Sequence, residues 1–314
     1  MSNPRCTAVI ASHRPSLISD LSKQLLRQNT SEDISFEVII VCDYPHGILS
    51  QQFSDFIWVY LPDRSISRKR NAGVRIARGD IIAFIDDDCI PAENWILEGC
   101  IYMNNHPEIS AVEGLTTIGT DSTVSPSATR EYRRLEKPGF RTNNLFFRTA
   151  HFRALGGFDE RFTVQREDID LAFSAQKQGY RFSYCNTINV THIFRTGEQW
   201  DLLKNCWNRR FDPLLFKKHP LQYLKRIGSP LPPTLALVLL FHGGLLASLK
   251  NRKTRILMGY CDVLLVTALG LRRSGFFPIT PQKLFFELLQ IAIAPIVIIA
   301  ALIYGSIFLR EKKQ

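Results

Sequence analysis

Within the first 90 residues, four apolar runs, each too short for a stable helix, alternate with segments whose apolar residues recur at helical spacing. No other feature limits the possible folds as strongly. The runs are residues 7–11, 36–42, 56–61 and 80–85, and the second (Phe-Glu-Val-Ile-Ile-Val-Cys) is apolar enough to be buried on both faces. After the first run, Leu17, Ile18, Leu21 and Leu25 mark a helix over 16–28 with Ser16 as its expected cap. Residues 67–78 read as a further helix stopped by Gly79. Strand–helix–strand alternation of this kind implies a mostly parallel, doubly wound α/β sheet. Such sheets bind ligands beyond the carboxyl ends of their strands. Asp43 follows the second run and Asp86, Asp87 and Asp88 follow the fourth, so acids stand where a ligand is expected.

The pattern weakens over 104–142, which reads as loops with some strand, and short helices are expected at 150–155 and 168–178. Residues 211–233 are basic and punctuated by prolines, which suits a linker. The composition then changes. Residues 235–249 and 256–271 are largely apolar but short for a simple membrane span, whereas 288–309 has about the length a bilayer crossing needs. The division expected is 1–210 for the α/β domain, 211–233 for the linker and 234–314 for a membrane-associated helical region.

Charge supports that division. From Leu231 onward ten Lys/Arg face three Asp/Glu, a net +7 out of +10 for the chain, so the excess sits beside the most apolar segment. This favours a membrane surface over nucleic acid as the partner. Positive residues favour the cytoplasmic side, and both Lys250, Arg252, Lys253 and Arg255 and Arg310, Lys312 and Lys313 are candidates for it, but one shallow hairpin plus one span does not place both groups there, so the topology stays open. The seven cysteines are scattered and include no Cys-x-x-Cys pair, which argues against a zinc site or a disulfide framework. The first residues lack an apolar signal stretch, so the α/β domain is expected in the cytoplasm at the cell membrane.

Three segments carry chemistry. Three adjacent carboxylates, Asp86, Asp87 and Asp88, repel one another at a strand end unless a cation sits there. An oxygen-rich cluster of that kind suits Mg²⁺ or Mn²⁺, ions that also bridge phosphate oxygens. Just before it, Arg68, Lys69 and Arg70 open a helix, and cationic side chains at a helix start favour anions. An acid cluster beside a basic one fits a diphosphate held between them. Third, Gly156 and Gly157 mark a tight bend, and Glu167, Asp168 and Asp170 then open another helix. One acid there would be an ordinary dipole partner; three in four positions exceed that.

The order of Asp43, Ser67-Arg-Lys-Arg-Asn-Ala-Gly73, Phe84-Ile-Asp-Asp-Asp88, Asn143-Asn-Leu145, Gly156-Gly-Phe-Asp-Glu160 and Glu167-Asp168 resembles glycosyltransferase family 2 over roughly residues 6–200. The resemblance implies a GT-A nucleotide-sugar-binding domain, Rossmann-like with a mostly parallel sheet, here with membrane-associated helices C-terminal to it. It implies transfer of a sugar from a nucleotide-sugar donor to a saccharide or lipid-linked acceptor, with a divalent metal, Mg²⁺ or Mn²⁺. Residue by residue, Asp43 and Ser12 are implied at the nucleotide base and Arg70 near the base and diphosphate. Asp86 and Asp88 are implied as metal ligands, Asp87 at the ribose or donor sugar and Asn144 in the donor site. Asp168 is implied as the catalytic base with Glu167 beside it, and His192 near the metal. The sequence departs from the family where Ala-Ser-His-Arg-Pro ends the first strand and Cys42 replaces an acid before Asp43, both in the base pocket. Residues 205–210 lack the Gln-x-x-Arg-Trp run of processive members, which points to single transfers. A sugar-phosphate nucleotidyltransferase would carry a glycine-rich basic loop that residues 10–15 lack. A catalytically degenerate sugar-binding relative would not need both acid motifs.

Overall fold

The computed structural model describes residues 5–119, 133–193, 200–274 and 280–309. They fall into two compact units, the first ending at 193 and the second beginning at 200.

The first unit is built on one eight-stranded sheet: β1 (Cys6–Ser12), β2 (Phe36–Cys42), β3 (Ile57–Tyr60), β4 (Ile81–Ile85), β5 (Cys89–Pro91), β6 (Ala111–Ile118), β7 (Asn144–Arg148) and β8 (Phe182–His192). The spatial order is β3-β2-β1-β4-β7-β6-β8-β5. The half predicted from alternation, β3-β2-β1-β4, is parallel throughout. In the other half β7 runs antiparallel to β4 and β6, β6 and β8 are parallel, and β5 closes the edge antiparallel to β8.

Successive residues of a strand point to opposite faces, and here both faces are covered. Ala8, Ile10, Val38, Ile40 and Ala83 pack under the Pro15–Leu26 helix (Ile18, Leu21, Leu25) and the Trp95–Asn105 helix (Trp95, Ile96, Met103). Their neighbours Val9, Ile39, Val41, Ile82 and Phe84 pack on the other face against Ala72 and Val74 of the Ile66–Ile76 helix and against Phe147, Phe152 and Phe158. That double burial explains why these strands read as continuous apolar runs.

Local chemistry sets the helix starts. Ser65 caps the 66–76 helix, its hydroxyl accepting from the Arg68 amide at 3.3 Å. The 15–26 helix starts at Pro15 with no side-chain cap, so Ser16 lies inside it, and proline at a first helical position loses no hydrogen bond. Gly156 and Gly157 take φ of 81° and 77°, a left-handed bend that a side chain would strain. Gly73 packs so closely on β1 that a Cβ there would lie 2.5 Å from Val9 Cγ1.

The second unit is helical. Residues expected to form a linker instead make two short helices, Asp212–Lys218 and Pro220–Arg226, whose prolines stand in their first turns. The three apolar stretches are helices Pro233–Ala247, Arg252–Ser274 and Pro281–Phe308. The second, expected to be short for a span, extends through its flanking charges, so among the described residues two helices are long and apolar enough to cross a membrane. A small core of Val238, Val266 and Ile291 holds the three together. Much of their apolar surface is exposed, including Leu240, Val263, Leu264, Phe285 and Ile303. Arg310, Lys312 and Lys313 lie outside the described residues.

Candidate functional site

The carboxyl ends of β1, β2 and β4 converge on the acid turn, where the Cys89 amide donates to the Asp86 carbonyl at 3.1 Å. Each of the three aspartates meets different cations. Asp86 accepts from Arg70 Nη2 at 2.7 Å, and Nη1 of the same buried guanidinium donates to Glu167 Oε1 at 2.9 Å. Asp87 is buried against the end of β1, accepting from the Ser12 hydroxyl at 3.0 Å, the His13 amide at 3.1 Å and the Arg14 guanidinium. Asp88 faces Arg14 at 3.3 Å on one oxygen and His192 Nε2 at 3.4 Å on the other. Burial pushes the Asp88 carboxyl up to about 6, against the pull of His192.

Metal-donor atoms converge on one side of this turn. A carboxylate oxygen of Asp88, Cys89 Sγ and a His192 ring nitrogen all lie within 4.8 Å of one another. Asp86, also implied as a ligand, is turned to Arg70 and is not in that group.

Helix phase makes Arg70 the bridge. Neighbouring helical residues are rotated by about 100°, so Lys69 and Arg70 face inward while Arg68 stays exposed and pairs with Asp63 at 2.6 Å. The partner helix, Glu167–Lys177, begins after Arg166, a non-glycine residue at φ 80°. Such a backbone persists only where its surroundings hold it, and here it turns two carboxylates into the site. Glu167 is buried, with Oε2 lacking a partner, and burial followed by the nearby Asp168 charge pushes it up to about 7. Asp168 is half-buried and accepts from the Ile169 amide at 2.7 Å. Burial also raises the Asp168 carboxyl, opposed by that amide and by Arg70 and Arg166.

A second cluster stands at the ends of β1 and β2. Asp43 lies 2.9 Å from His13 Nδ1 and 3.1 Å from Lys69 Nζ. The fully buried Lys69 also donates to the Ser12 carbonyl at 2.7 Å. Burial works to raise the Asp43 carboxyl, but the hydrogen bonds from His13 and Lys69 outweigh it and hold it below the usual range.

Two residues implied at the donor sit inside the structure. Ser12 is buried and shares its hydroxyl between Asp87 and Tyr44, the latter at 2.9 Å. Asn144 is buried in the sheet, accepting from Trp95 Nε1 at 2.9 Å and donating to the Leu115 and Ile188 carbonyls at 2.9 and 3.0 Å. Both amide hydrogens are thereby used in tying β7 to its neighbours. Sequence reasoning missed His13, Arg14 and Cys89 and did not distinguish Lys69 from Arg68. The available signal was position: the first two directly follow β1 and Cys89 directly follows the acid run.

Comparison with known proteins gives likenesses of three kinds. The sequence model described as Glycosyl transferase family 2 matches residues 7–158. The O-antigen chain rhamnosyltransferase RfbN of Salmonella typhimurium is 29% identical over 129 residues, which covers 36% of this chain and 41% of that protein. Among solved structures, the mannosyltransferase PcManGT from Pyrobaculum calidifontis, in complex with GDP-Man and Mn²⁺, aligns over 99% of this chain and 89% of its own with a TM-score of 0.59 and 17% identity. At that identity the likeness is one of fold.

Proposed function

Since the chain carries a glycosyl transferase family 2 domain over residues 7–158, we propose that it transfers a single sugar from a nucleotide-sugar donor to a saccharide or lipid-linked acceptor at a membrane surface, with inversion at the sugar carbon. The observation that carries this reading is the Arg70 bridge, which fastens Asp86 of the acid turn to Glu167 of the Glu-Asp helix start. A donor site and a base are thereby held in one rigid assembly, as a displacement reaction requires.

In this reading Asp168 accepts the proton of the acceptor hydroxyl as general base while the acceptor oxygen attacks the anomeric carbon and the bond to the nucleoside diphosphate breaks. Glu167, fixed by Arg70, sets the charge beside Asp168. Asp43, ordered by His13 and Lys69, meets the nucleotide base, and Asp87 meets the ribose or sugar from beneath. Ser12 and Asn144 support these positions through the bonds they make within the protein.

The donor set of carboxylate and imidazole fits a divalent ion that Asp88 and His192 would hold, while Asp86 is engaged by Arg70 outside that group. A metal there, when bound, neutralises charge on the departing diphosphate. The Mn²⁺ and GDP-Man of the Pyrobaculum structure support that reading, and the rhamnosyltransferase name of the Salmonella relative supports sugar transfer. The O-antigen chain in that relative's name supports a saccharide acceptor. The exposed apolar helices support contact with membrane lipids, with Lys250, Arg252, Lys253 and Arg255 at the cytoplasmic face.

The test is release of nucleoside diphosphate coupled to acceptor glycosylation by detergent-solubilised protein. Asp168→Asn is expected to lower turnover by about 10²-fold or more while retaining donor binding. An Asn variant with most of its activity would remove the base assignment.

A further inference from the structure

The turn that gathers the metal donors also brings a sulfur to them. Cys89 begins β5 and pairs directly with His192, the last residue of β8, across the antiparallel ladder. Residues so paired carry their side chains on the same face with Cβ atoms about 5 Å apart. Asp88 is one residue earlier in the turn and reaches the same imidazole, 3.4 Å from Nε2 to Oδ1. One oxygen, one nitrogen and one sulfur thus fall within 4.8 Å. Donors bound to one ion at about 2.0–2.3 Å stand roughly 3–4 Å apart, so side-chain movements of about 1 Å close the set. The ladder fixes two of the three positions in advance. Asn143 Nδ2 lies 3.9 Å from the same sulfur.

We propose that Cys89 is itself a ligand of the donor-site metal, completing an oxygen–nitrogen–sulfur set with Asp88 and His192, and that it selects sulfur-accepting divalent ions over Mg²⁺. The inference rests on the reading of Asp88 and His192 as metal donors. Coordination is by the thiolate, its proton passing to solvent. Hard Mg²⁺ gains little from sulfur, whereas Co²⁺, Zn²⁺ and Cd²⁺ gain much, and Mn²⁺ stands between them.

The test uses Co²⁺ as a spectroscopic probe on the full chain in detergent. The wild type is expected to show the visible bands of bound Co²⁺ together with an ultraviolet thiolate-to-cobalt charge-transfer band. Cys89→Ser is expected to keep the visible bands, lose the charge-transfer band and lower the preference for Cd²⁺ over Mg²⁺ by about tenfold or more. Cys42→Ser, whose sulfur lies by His46, is expected to keep both sets of bands. Visible bands without charge transfer in the wild type would overturn the role of Cys89 and leave the metal site standing. So would a charge-transfer band that survives in Cys89→Ser. Absence of bound Co²⁺, or Co²⁺ binding indifferent to Asp88→Asn and His192→Ala, would overturn the metal reading and the proposal with it. Should Cys89→Ser fail to fold, the wild-type spectrum decides.

Discussion

Arg70 joins two carboxylates that are 81 positions apart in sequence (Asp86 and Glu167), and its planar fork is what lets one side chain do so. Lysine carries the same charge on a single ammonium and leaves one partner unsatisfied. Arg70→Lys is therefore expected to lower kcat/KM by about 10²-fold and to cost about 3 kcal/mol of stability. Parallel kinetics and denaturant unfolding check both. A pH prediction follows from Glu167. Its folded pKa, about 7, lies above its ordinary value of 4.5, so between those values the folded state binds more protons than the unfolded state. Stability then falls as pH rises through that window, and Asp88, raised to about 6, adds to the same slope below neutrality. Unfolding of metal-free protein across pH 4.5–7 should show this decline, and Glu167→Gln should flatten it. At this scale Asp43, Asp86, Asp87 and Asp88 were readable because charge at a strand end is conspicuous. Lys69, Arg14 and Cys89 were not, because helix phase and ladder register decide where they point.

Among elements, the 66–76 helix positions most of the site, and its approach to the sheet is set by Gly73. A methyl group 2.5 Å from Val9 Cγ1 forces the helix outward and carries Lys69 and Arg70 with it. Gly73→Ala gains helix propensity of about 1 kcal/mol, yet overpacking of about 1–3 kcal/mol should leave it less stable and less active. Thermal denaturation and turnover measure the two effects. The parallel half of the sheet was legible because strands buried on both faces are apolar throughout. The antiparallel half was not: β6 buries polar Glu113 and Thr116, β8 exposes Asn186 and Thr187, and a register shift at Gly114/Leu115 breaks the period. The two helices at 212–226 were not legible because proline reads as a breaker, although at a helix start it is a favoured residue.

For the molecule as a whole, the second unit joins long apolar helices to a basic connection at 250–255. If charge alone held it to lipid, high salt would release it; burial of apolar helices predicts that it stays. The expected outcome is co-flotation with liposomes that survives a high-salt wash and is lost in detergent. Length and apolarity made these helices legible in sequence, whereas their exposed faces, which separate membrane contact from a buried core, are visible only in the fold. The central claim is that the acid turn and the Glu-Asp helix start form a metal-dependent nucleotide-sugar site. It is tested most directly by the thermal stability of detergent-solubilised protein against UDP-, GDP-, dTDP- and CMP-sugars, each with Mn²⁺ and with EDTA. The account predicts stabilisation by one nucleotide class in the presence of metal, lost in Asp88→Asn and retained in Asp168→Asn. Folded protein that no donor stabilises, or stabilisation that persists in EDTA and in Asp88→Asn, would contradict it.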